Sequence, residues 1–398
     1  MKRKKWLPGI AVAAVSLGFV LAGLSGQAGA AEPVDIPTIL PLTGPASFLG
    51  KASQANLAAL EEVVNADGGI AGRPVRFPVS DDQSSPQQDV QIANGILAGK
   101  PPIILGSSVV ALCNAMAPLM RNGPVMYCLS PSFAPAVGGF TFSSGSATRD
   151  QISAIVRYMR LRGATKLALL NSTDATGQNA DKDIKLVLAK PENATLQIVE
   201  QQHFNPSDVT VAAQIERIKD SGAQAMIAWT TGVPVATVFK GMIQAGLDIP
   251  IGISSGNQTF AQMAQFTGFL PRQLLIGSSL FPPHDGIMTL EPQVEAAQKA
   301  MNAALATHGL QADIATAVDW DAGLITVAAL RKLGAGATAA QVRDFIAGLT
   351  DFPGVDGVYD FKRFPDRGLG PDSVTVVSYD AEAKRWKWLS QPGGAPLP

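Results

Sequence analysis

The chain has 398 residues, 46% hydrophobic and 16% charged, enough to bury a large core and to build two lobes rather than one. Its 31 basic and 32 acidic side chains leave a formal net charge of -1, with no basic stripe to suggest a nucleic-acid partner. The 39 glycines and 28 prolines imply many short turns between regular elements.

At the N-terminus Lys2, Arg3, Lys4 and Lys5 precede an apolar stretch from Ile10 to Leu24. Ala28-Gly29-Ala30 then supplies the small-x-small pattern that signal peptidase needs. Residues 1–30 are therefore predicted to be a signal peptide, cleaved near Ala30, that exports the chain to the periplasm. The apolar run falls short of the roughly 20 residues that a membrane span requires. No cysteine lies near the cleavage site, which argues against a lipid anchor.

The mature chain alternates strands and helices. Ile36 to Leu40 reads as a strand. Ala52 to Asn65 places Leu57, Leu60, Val63 and Val64 on one helical face, and Asp67-Gly68-Gly69 ends it. Val75 to Val79 is the next strand, and Pro86 opens a helix at a first-turn position. Further short apolar strands are Ile103 to Leu105, Val125 to Leu129, Leu167 to Leu170, Ala225 to Trp229 and Ile249 to Ile253. Helical runs between them include Gln151 to Leu161, Val209 to Ser221 and Val235 to Ala245. Helices follow at Thr316 to Leu333 and Ala339 to Leu349. The irregular tail holds strands at Tyr359-Asp360-Phe361, Val374 to Ser378 and Trp386 to Leu389. Such alternation predicts α/β architecture with parallel sheets covered on both faces.

Cys113 falls early in a predicted helix and Cys128 late in the strand that follows, so both lie at one edge of the sheet. A disulfide closing a short loop, worth about 3 kcal/mol, and two buried thiols both fit this placement. Two cysteines without clustered histidines make no zinc site. No P-loop or G-x-G-x-x-G fingerprint follows a strand, so neither a metal nor a nucleotide cofactor is expected.

Several stretches resemble the branched-chain amino acid (Leu/Ile/Val) binding protein family, the receptors of one class of ABC importers. PLTGPASFLG (Pro41 to Gly50) resembles the loop after its first strand. VNADGGIAGRPV (Val64 to Val75) is similar to its helix-turn-strand signature and is the most specific match. SDDQSSPQQDV (Ser80 to Val90), LSPSFAP (Leu129 to Pro135) and QAGLDIPIGISSG (Gln244 to Gly256) follow in family order. The resemblance implies a periplasmic binding protein fold of type I: two Rossmann-like lobes joined by a three-crossing hinge. Lobe 1 would hold residues 31–146 and 279–355, and lobe 2 residues 147–278 and 356–398. It also implies a monomer that traps a small molecule between the lobes and presents it to permease subunits in the inner membrane.

Family members hold a ligand carboxylate with first-lobe hydroxyls and backbone N–H groups, a role suited to helix N-termini. Ser107, Ser108 and Ser132 are the expected anion contacts here, as an alternative to merely capping helices. Phe48, Leu49, Val110 and Phe133 are expected to meet an apolar body, although Phe133 suits the core equally. Thr176 precedes Gly177 where the family often has a tyrosine, and Thr231-Gly232 stand in its tyrosine-rich loop. The family places an acid for the ligand ammonium near the loop that reads Ile253-Ser254-Ser255-Gly256 here, and this loop has none. An unpaired ammonium buried in a closed cleft costs several kcal/mol. The expected ligand is therefore an aromatic or aliphatic carboxylate, with a hydrophobic amino acid as the alternative.

Two other functions compete. Gly252-Ile253-Ser254-Ser255-Gly256 fits the G-x-S-x-G nucleophile elbow, with Asp285 and His308 as the available partners of Ser254. The same lobes also serve sensors that signal to another protein, although no kinase, helix-turn-helix or membrane span is visible. The receptor reading, not an enzyme, is the expectation.

Overall fold

The runs Ile103–Leu105 and Val125–Cys128 are buried at every position, as strands inside a doubly covered parallel sheet must be. They form the middle of a five-stranded sheet in the order Val79–Asp81, Thr38–Leu40, Ile103–Leu105, Val125–Cys128, Thr141–Ser143, parallel throughout. The structure, a computed structural model, describes residues 32–284, 286–365 and 367–398. The expected signal peptide lies outside the described residues. Among them no helix is long and apolar enough to cross a membrane.

A second sheet has seven strands in the order Arg385–Trp388, Thr375–Asp380, Leu274–Ser278, Ile251–Ile253, Ala225–Ala228, Lys166–Ser172, Gln197–Phe204. The five from Leu274–Ser278 to Gln197–Phe204 are parallel, and the two C-terminal strands add antiparallel at one edge. Each sheet has its own apolar core. Leu57, Leu60, Tyr127, Trp320 and Ile325 belong to the first, and Phe239, Met242, Ile251 and Ile276 to the second. This is the two-lobed α/β architecture expected from the alternating pattern.

The chain crosses between the lobes three times. The first crossing follows Thr141–Ser143. At the second, Leu280, Leu290 and Val294 still pack in the second core, whereas Met301 and Leu305 on the same helix as Val294 pack in the first. At the third, Tyr359, Phe361 and Leu369 remain in the first core, and Val374 enters the second lobe. Tyr359 is held there because its hydroxyl donates to Asp321 on the helix Ile314–Leu333 at 3.0 Å. The crossings touch: the Ser146 and Ser279 hydroxyls lie 2.8 Å apart. The buried Arg367 guanidinium donates to the Ser143 hydroxyl and to the carbonyls of Ser144, Gly145 and Phe133.

The predicted strand Val75 to Val79 divides into Val75–Arg76 and Val79–Asp81, because Pro78 lacks the N–H that a continuous ladder needs. Cys113 and Cys128 are joined by a disulfide linking the helix Val110–Met116 to the strand Val125–Cys128.

Candidate functional site

In each lobe a glycine in the first turn of a helix lets that helix press against the strand before it. A Cβ at Gly50 would lie 2.2 Å from the Pro41 carbonyl oxygen, and one at Gly177 1.9 Å from that of Ser172. The close approach sets the starts of the helices Ser47–Ala66 and Ala175–Leu188, and so brings Phe48, Leu49 and Thr176 to the space between the lobes.

That space is a cavity of about 460 Å³ beyond the carboxyl ends of the parallel strands. Its wall is mainly apolar, with Phe48, Leu49, Val110, Leu129, Pro131 and Ile314 among its residues, and no Lys, Arg or His lines it among the described residues. Hydroxyls come from Ser108, Ser130, Ser132, Thr176 and Thr231. The lobes approach closely, since a Cβ at Gly232 of the second would lie 3.7 Å from the Phe48 ring of the first.

Five helices begin at this wall: Ser47–Ala66, Val110–Met116, Ala175–Leu188, Pro234–Ala245 and Ile314–Leu333. Two are capped by carboxylates. Asp174 accepts from the Gly177 N–H, and Asp313 from those of Ala315 and Thr316. The other three start at Ala46, Val109 and Val233, with no side-chain cap bond. In the first two the N–H groups of Phe48, Val110 and Ala111 have no partner among the described residues, whereas Pro234 has no N–H and those of Val235 and Ala236 donate to the Gly232 and Val233 carbonyls, so the third offers only its dipole end.

Of the residues expected at the site, Phe48, Leu49, Ser108, Val110, Ser132, Thr176, Thr231 and Gly232 line the cavity together. Four others stand outside its wall. The Ser107 hydroxyl turns inward and donates to Asp82 at 2.9 Å. Burial pushes the Asp82 pKa up, and that bond together with the Ser84 N–H pulls it back. Phe133 is buried in the apolar cluster around the disulfide. Ser254 accepts from the Gly256 N–H at 3.1 Å, and the Ser255 N–H donates to Gln151 at 3.1 Å, so both shape the loop rather than face the cavity.

The nucleophile-elbow reading finds no support in this geometry. Ser254 is 2% exposed, and His308 pairs with Glu62 at 3.2 Å, not with Ser254. Asp285 lies outside the described residues.

Sequence reasoning missed two groups. Asn257 accepts from the Gly232 N–H and donates to the Thr230 carbonyl, both at 2.8 Å, and thereby positions the loop that carries Thr231. Asp319 lines the cavity from the helix Ile314–Leu333, and burial raises its pKa well above the carboxylate range. The loop Ile253 to Gly256 does lack an acid, as expected, yet this other element supplies one.

A family model described as "Periplasmic binding protein" matches residues 33–384. The leucine-, isoleucine-, valine-, threonine-, and alanine-binding protein of Pseudomonas aeruginosa is 22% identical over 57% of this chain and 62% of its own length. The chain thus spans less than two thirds of that relative. Among solved structures, an extracellular ligand-binding receptor from Rhodopseudomonas palustris HaA2 superimposes with a TM-score of 0.78 at 17% identity, covering 90% of this chain and all of that one. A branched-chain amino acid binding protein from Streptococcus pneumoniae, in complex with isoleucine, gives 0.74 at 17% over 88% and 97%. A fatty acid ABC transporter substrate-binding protein from Thermomonospora curvata gives 0.74 at 16% over 92% and 95%. These structural likenesses establish the fold, and the family is one of substrate-binding receptors rather than enzymes. With two lobes, three crossings and a cavity between them, the chain belongs to the periplasmic binding protein family.

Proposed function

We propose that this chain is the extracytoplasmic receptor of an ABC importer, trapping a small carboxylate with an aliphatic or aromatic body by closure of its lobes. The observation that carries this reading is an apolar cavity without cationic side chains, onto which the helices that begin at Ser47 and Val110 bring the free N–H groups of Phe48, Val110 and Ala111. Hydroxyls and N–H groups hold a carboxylate without a counter-cation, and charge-assisted bonds of this kind are worth about 1.5–3 kcal/mol each. Ser108, Ser132, Thr176 and Thr231 are the side chains proposed to take the acid group. Phe48, Leu49 and Val110 are proposed to take the apolar body. Contacts to both lobes favour the closed state, which the permease would recognise.

A hydrophobic amino acid is the second reading, favoured by the carboxyl groups of Asp174 and Asp319 in the wall. Thermal shifts with octanoate, benzoate, 4-methylpentanoate and leucine test the two. A ligand at 100 times its Kd adds about 2.7 kcal/mol of stability. A shift from at least one of the acids and none from leucine supports the proposal. A shift from leucine alone contradicts it.

A further inference from the structure

Asp319 in the cavity wall, and Ser53 and Asn56 behind it, are polar groups that the apolar wall does not explain. Asp319 lines the cavity, yet its side chain is wholly buried; no group meets its carboxyl oxygens at full hydrogen-bond geometry, and the Ser53 hydroxyl is the one hydrogen-bonding group near enough to bias its charge among the described residues. The nearby Ser53 hydroxyl, which favours the charged form of Asp319, lies 3.2 Å from the Ser108 hydroxyl on the wall. Asn56, three positions beyond Ser53 on the helix Ser47–Ala66, is equally buried, with both carboxamide atoms unpartnered. The helices that carry these residues pack directly: a Cβ at Gly323 would meet Leu60 Cδ2 at 2.3 Å. One turn back from that contact, toward the cavity, stand Asp319 and Asn56. Buried polar groups in native proteins are nearly always satisfied, so the carboxyl of Asp319, standing in the cavity wall, is open to a partner from the cavity, whether water or a bound molecule.

An ionised Asp319 would have no cation in the cavity wall, and the carboxyls of Asp313 and Asp356 lie within electrostatic reach. Burial makes the charged form costly under these conditions. A neutral carboxyl, by contrast, donates one hydrogen bond and accepts another.

We infer that Asp319 is a specificity-determining residue of the cavity: as a neutral acid it donates a hydrogen bond to the carboxylate of the ligand, beside the Ser108 hydroxyl. The inference rests on the carboxylate reading above and deepens it. An ammonium-bearing ligand would demand the reverse, an ionised Asp319.

Calorimetric titration of the wild-type chain, Asp319→Asn and Asp319→Leu with octanoate, benzoate, 4-methylpentanoate and leucine tests it. Asparagine keeps a donor and an acceptor without charge, whereas leucine keeps the volume and removes both. For an acid that binds the wild type, the expected loss is less than about fivefold in Asp319→Asn and more than about tenfold in Asp319→Leu, the worth of one charge-assisted bond. Melting of the ligand-free variants confirms that both fold, and Asp319→Asn is expected to melt no lower than the wild type. An acid that loses more than fivefold in Asp319→Asn, or less than tenfold in Asp319→Leu, overturns this inference and leaves the carboxylate reading intact. Leucine that binds the wild type in place of the acids and is lost in Asp319→Asn overturns both. So does a wild-type chain that binds none of the four.

Discussion

The Ser107 hydroxyl donates to the Asp82 carboxylate across 2.9 Å, and Ser107 is wholly buried, while its neighbour Ser108 lines the cavity. Adjacent serines in one strand-to-helix loop thus serve different ends. Ser107→Ala is expected to cost about 1–3 kcal/mol of stability by depriving a buried carboxylate of a bond, with ligand affinity unchanged. Ser108→Ala is expected to leave stability within about 0.5 kcal/mol and to weaken acid binding about tenfold. Urea unfolding together with calorimetry separates the two effects.

Gly50 and Gly177 admit no side chain, because a Cβ would press on the backbone carbonyls of Pro41 and Ser172. Gly50→Ala and Gly177→Ala should each destabilise by about 1–3 kcal/mol or more, since backbone must shift to relieve the clash. Each should also weaken binding, because Phe48 and Thr176 move with their helices. Equal urea midpoints for the wild type and either variant would contradict this packing.

The disulfide between Cys113 and Cys128 closes a loop with a sequence separation of 15. A cross-link of that length restricts the unfolded chain by about 3 kcal/mol. The double variant Cys113→Ala, Cys128→Ala should lose stability of that order and retain ligand binding, because neither cysteine lines the cavity. Denaturant unfolding of the variant measures the loss.

Three buried carboxyls make stability fall as pH rises. Burial pushes Asp321 up, Asp313 up to about 7 and Asp89 up to about 8, the last also raised by the charge of Asp82. Between the ordinary carboxylate range and these values the folded chain holds protons that the unfolded chain has released. Unfolding free energy therefore declines with rising pH through that window. The urea midpoint is expected to be higher at pH 5 than at pH 8, and a rise between those values would contradict the assignment.

The parallel core was legible because strands such as Ile103–Leu105 are apolar throughout and end at glycine or serine. The edge strand Gln197–Phe204 was not, because it reads QIVEQQHF and is largely exposed, so neither alternation nor an apolar run marks it. Phe48, Leu49 and Ser108 were legible through a family-like loop pattern. Ser107 and Ser108 could not be told apart, because which hydroxyl turns inward depends on Asp82, 25 positions earlier in the chain. Asp319 left a faint signal. It stands two positions from Asp321 in an otherwise apolar helical run, and residues so spaced point about 200° apart. Both cannot face solvent from a helix buried on most sides, as Ile314–Leu333 is.

Calorimetric titration with 4-methylpentanoate and leucine, which share a side chain and differ by the ammonium group, tests the central claim most directly. The carboxylate reading predicts that 4-methylpentanoate binds at least about tenfold more tightly, since an unpaired buried ammonium costs more than 1.4 kcal/mol. Tighter binding of leucine would contradict it.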